Sequence, residues 1–166
     1  MTLTMYSASV PVFTRMLTNL LAILDKTEAW AGERKINLQV LVDSRLAPDM
    51  YPLRNQIQIA TDHAKGAPSR LAGKPVPSWN DDEVTFEDLK ARIKKALDYL
   101  ATFSAAEFEG ADNREVTLKA GGKEIQVAGD VYLLNRALPN FYFHITTAYD
   151  ILRHNGAPVG KGDFIG

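Results

Sequence analysis

Apolar side chains recur along this chain at steps of three and four residues, broken by short polar stretches. A first helical segment is expected from about Ser7 to Ala31, with Tyr6, Val10, Phe13, Leu17, Leu20 and Leu24 on one face. Pro11 fits the first turn of that helix, where its missing N–H is no loss. The segment "LQVLVDSRLAPDMYP" reads as a short helix or turn stopped by Pro48. A second helix starts near Pro52, with Leu53, Gln56, Ile59, Ala60 and His63 on one stripe. Gly66 and Pro68 are expected to kink or end it. "AGKPVPSWNDDEV" is a loop by its proline, glycine and aspartate content.

The third helix has the clearest pattern. Thr85 is its N-cap, Glu87 and Asp88 place negative charge in the first turn, and Phe86, Leu89, Ile93, Leu97, Leu100 and Phe103 form its stripe. In "REVTLKAGGKEIQVAG" the pair Gly121-Gly122 suits a two-residue turn. Pairing outward sets Lys119 opposite Glu124, Leu118 opposite Ile125 and Val116 opposite Val127. Two strands alone are marginal, so this hairpin must rest on the helices. A fourth helix runs from Asp130 to Asn155 and stops at Gly156 and Pro158. Its middle is apolar nearly all round, which predicts burial on most sides, and Pro139 predicts a kink just before Asn140. Four long helices with a small hairpin between the third and fourth predict an all-α, four-helix bundle in a single domain spanning residues 1–166.

Composition narrows the function. Nineteen basic and twenty acidic residues leave a net charge of -1, without the basic excess of a nucleic-acid binder. No cysteine is present, so thiolate metal sites and cysteine nucleophiles are excluded. No apolar run is long enough to span a membrane, and "MTLTMYSASVPVF" lacks the basic start of a secretory signal, so a cytoplasmic protein is expected. There is no G-x-S-x-G and no glycine-rich phosphate loop, and Asp43, Asp49 and Asp150 are single acids with no second carboxylate at helical spacing.

The residues with chemical potential are few. Asn140 and His144 are four apart on the last helix, about 5–6 Å apart at Cβ, a spacing that offers two groups to one metal. The alternative is a polar pair satisfied inside the bundle. His63 lies on the second helix's stripe and faces His144 if those helices are neighbours; otherwise it bonds Asp62 or water. Asp62 reads as a solvated charge beside Lys65. His154, in the last helical turn, has a structural role at the helix C-terminus. Phe141, Tyr142, His144 and Tyr149 are candidate walls of a small-molecule pocket, and Gln56 and Tyr149 are candidate further donors.

Three features carry a resemblance: "LAPDMYPL" leading into "QIQIATDHAKG", the end "LPNFYFHITTAYDILRHNGAPVGKGDFIG", and the overall length. Together they resemble a bacterial family of unknown function within the DinB/YfiT-like superfamily of four-helix bundles. The resemblance implies a three-histidine site for a divalent ion such as Zn, Ni, Mn or Fe, frequent homodimers, and hydrolase or transferase chemistry. Carried onto this chain, His63 matches the ligand from the second helix and His144 the second histidine of an H-x-x-x-H pair. Asn140 stands where the first would be, and the usual run after the second ligand is replaced by Ile145, Thr146 and Thr147. Two readings therefore stay open: a metalloenzyme with an altered site, or a non-catalytic small-molecule-binding or dimerisation module without metal.

Overall fold

The computed structural model describes residues 3–166. It is mostly helical and carries one two-stranded antiparallel sheet. In chain order the elements are α1 (Val10–Glu33), α2 (Leu38–Asp43), α3 (Leu53–Leu71) and α4 (Phe86–Leu100). The hairpin follows as β1 (Glu115–Ala120) and β2 (Lys123–Ala128). The last long stretch is α5 (Gly129–Tyr132), a π-helical turn (Leu133–Ala137) and α6 (Leu138–His154), with α7 (Lys161–Ile165) at the end. No described helix is long and apolar enough to cross a membrane.

Sequence explains most of these elements. Pro11 sits in the first turn of α1, and Val10, Phe13, Leu17, Leu20 and Leu24 of the stripe are buried, while Tyr6 lies before the helix and is half-buried. At α4 the Thr85 side chain accepts from the Asp88 N–H while the Asp88 carboxylate accepts from the Thr85 N–H, which satisfies two otherwise orphaned donors. The hairpin has the expected register: Val116 faces Val127, Leu118 faces Ile125 and Lys119 faces Glu124. Gly121 and Gly122 turn it at φ +57° and +77°, angles that cost other residues steric energy.

The helices pack as a connected set. α3 lies against both α4 and α6, and α1 against α4 and α6. Buried side chains from all four join in one core, including Phe13 edge-on to Phe141, with ring centres 4.8 Å apart.

Two expectations are corrected. α3 does not end or break at Gly66 and Pro68 but runs to Leu71. Residues Ala64 to Ser69 are all buried there, and the Ser69 hydroxyl donates to the Lys65 carbonyl at 2.7 Å, so packing overrides the breakers. Before Pro139 the chain forms a π-helical turn, Leu133–Ala137, that the residue pattern does not announce. There the Leu138 N–H reaches back five residues to the Leu133 carbonyl, and the widened turn accommodates the proline. The last helix is also not buried on most sides: Leu134 is 55% exposed and Phe143 58%.

Candidate functional site

His63 on α3 and His144 on α6 come together because those two helices pack against each other. Their rings lie nearly parallel, 15° apart, with centres separated by 6.2 Å. Both side chains are half-buried. Burial, the His144 charge and the Arg70 guanidinium lower the His63 basicity, against an opposing pull from Asp62, and its pKa falls to about 4. Burial alone lowers that of His144. A pair of neutral imidazoles at neutral pH follows, the state in which ring nitrogens offer lone pairs.

Gln56 settles which nitrogen of His144 carries the proton. Its side-chain amide is 1% exposed and donates through Nε2 to the Tyr51 carbonyl at 2.9 Å. That leaves Oε1 facing His144 Nδ1 at 2.7 Å. An amide oxygen only accepts, so Nδ1 holds the hydrogen and Nε2 keeps its lone pair. Gln56 is thus the group that orients His144.

Asn140 is exposed and donates through Nδ2 to the Arg136 carbonyl at 2.6 Å, in the turn disturbed by the π-helix. It borders, with His63, a cavity of about 540 Å³ formed between α3, the π-turn and the hairpin. The remaining wall is Arg70, Thr117, Leu118, Lys119, Glu124, Tyr132, Arg136 and Ala137. The sequence-derived pocket residues lie apart from it. Phe141 is fully buried against Phe13, Tyr142 borders a separate groove beside Arg15 and Phe164, and Tyr149 packs edge-on to Phe164 at 5.6 Å. Among the described residues no group of three or more His, Asp or Glu side chains converges as a metal site.

A buried cation holds the His63 end of the site. Arg92 of α4 is 3% exposed and donates to Thr61 Oγ1 at 2.7 Å and Asp62 Oδ1 at 2.9 Å. It also binds Glu83 and Asp81, each at 2.9 Å. Asp62 is therefore more than a solvated partner of Lys65, which it does bind at 2.6 Å. The clamp fixes the two residues before His63 onto α4 and the loop preceding it. Arg92 carries no motif in the sequence, because its partners come from two separate segments, α3 and the loop before α4. The cavity arginines did leave a signal: Arg70 follows His63 by seven residues, and Arg136 precedes Asn140 by four, both steps that keep a helical face.

Comparison with known proteins agrees with this architecture. The family model described as "Domain of unknown function (DUF1993)" matches residues 5–165. A crystal structure of a DinB family member protein from Shewanella denitrificans superimposes with a TM-score of 0.89 at 44% sequence identity, covering 97% of this chain and 91% of that chain. Among curated proteins nothing matches.

Proposed function

This chain belongs to the DUF1993 family and has a DinB-like fold, and we propose that it holds a divalent metal ion between His63 and His144, beside a cavity that admits a small molecule. The observation that carries this reading is the approach of two neutral imidazoles from different helices, one with its tautomer fixed by Gln56. Two imidazoles at ~2.0–2.1 Å from one ion place their ring centres roughly 5–6.5 Å apart, depending on the angle at the ion. At a tetrahedral angle the span is about 5.2 Å, so from 6.2 Å and a near-parallel stack the rings close by about 1 Å and turn to aim both in-plane lone pairs at the ion. Asn140 borders the cavity, and its amide oxygen, with Nδ2 engaged by the Arg136 carbonyl, would serve as a weak third donor. The mutual packing of α1, α3, α4 and α6 supports a four-helix bundle, whose facing side chains are where such sites are built. An ion held there supplies Lewis-acid polarisation of a substrate or a bound water, the chemistry of a hydrolase or transferase. Gln56 and Arg92 position the two ligands, and His63 opens onto the cavity.

A second reading takes the same cavity as a small-molecule site that works without metal. What favours it is the lack of a third charged or imidazole donor among the described residues. Calorimetric titration of chelator-stripped protein with Zn, Ni, Mn and Fe(II), alongside His63→Phe and His144→Phe, separates the two. Binding of one ion per chain that either substitution abolishes supports the metal reading. No binding of any of the four ions by the unaltered protein rejects it and leaves the second.

A further inference from the structure

The cavity beside His63 is lined by unneutralised positive charge. Arg70, Arg136 and Lys119 contribute to its wall, against the single carboxylate of Glu124. Elsewhere the molecule neutralises its buried cations. Arg92 contacts Asp62, Asp81 and Glu83, and Lys90 contacts Asp25, Glu28 and Glu87. Among the described residues neither Arg70 nor Arg136 makes a salt bridge.

Arg70 is also held in place. It is half-buried, and its Nη1 donates to Tyr132 Oη at 3.3 Å. The guanidinium folds back over Gly66, where an added Cβ would meet Nη1 at 2.5 Å. The glycine thus makes room for an arginine directed at the cavity wall. Tyr132, Leu118 and Ala137 supply apolar surface next to it. A volume of about 540 Å³ suits a small organic molecule.

We propose that this cavity binds the anionic group of a small molecule, a carboxylate or a phosphate, through Arg70 and Arg136, with Lys119 adding to the attraction. The guanidinium fork matches both anions, and a cavity with three cations and one acid favours them over a neutral ligand. The proposal rests on the reading above in taking this cavity as the ligand site, but it does not require the ion.

Calorimetric titration of the full chain, stripped of metal and then with zinc, tests it with phenyl phosphate, benzoate and the neutral isostere benzamide at low salt. At least one anion should bind, and benzamide should bind at least ~10-fold more weakly. The tighter of the two anions tells phosphate from carboxylate. Arg136 is exposed, so Arg136→Gln should fold normally, keep any zinc binding, and lose ~10-fold or more of the anion affinity. Anion binding that persists in a His63→Phe variant devoid of zinc binding supports this inference even as the metal reading fails. Three results overturn it: benzamide binding as tightly as benzoate, undiminished anion binding in Arg136→Gln, or no binding of either anion at about 10 mM, the weak-affinity limit. Zinc binding alongside that last result leaves the metal reading standing by itself.

Discussion

Replacing His63 by phenylalanine should flatten the dependence of stability on pH below neutrality. In the folded protein His63 titrates at about 4, against 6.5 unperturbed. As pH falls from 6.5, unfolded chains gain a proton that folded chains refuse, so acid favours unfolding. A group whose folded pKa is depressed stabilises fully above its unfolded value, and that contribution is lost as pH falls toward its folded value. Between pH 7 and 4.5 a shift of this size removes roughly 2 kcal/mol, at about 1.36 kcal/mol per pKa unit. Carboxylates titrate in the same window, so the quantity to read is the difference between the two proteins. Urea unfolding in chelator, at several pH values from 7 to 4.5, gives that difference. The unaltered protein should lose about 2 kcal/mol more than His63→Phe across the window. Equal losses would mean that His63 accepts protons as freely folded as unfolded, and the burial that keeps it neutral below pH 6.5 would not exist.

Other substitutions probe the supports of the site. Arg92→Met should destabilise by about 3 kcal/mol, the low end for an emptied buried ion pair, because Asp62 and Asp81 are 41% and 55% exposed and keep water; the urea midpoint reads it. Gln56→Leu, which leaves His144 without its orienting acceptor, should weaken zinc binding by about 10-fold or more in a competition assay while the fold persists. Asn140→His should strengthen zinc binding by at least ~10-fold if that position converges with the pair; an unchanged affinity would show that it does not.

Local patterns were legible where local physics decides them. The Thr85 cap, the buried stripe of α1 and the hairpin register depend on neighbours in sequence, and the structure has them as read. Pro68 and Pro139 mislead as local signals because tertiary burial carries α3 on to Leu71 and a π-turn precedes Pro139, neither of which leaves a local mark. The meeting of His63 and His144 was legible only as a conditional, since it hangs on which helices are neighbours. Phe141, Tyr142 and Tyr149 look like pocket walls by their chemistry, yet they sit in the core, a separate groove and the α7 contact. The hairpin supplies one wall of the actual cavity, and nothing in its own strands reveals what they face.

Crystals soaked in zinc and measured at the zinc absorption edge test the central claim most directly. The account expects one anomalous peak per chain, within bonding distance of His144 Nε2 and of a ring nitrogen of His63. No peak there at full soaking, or a peak bound to His144 Nδ1 with Gln56 displaced, would contradict it.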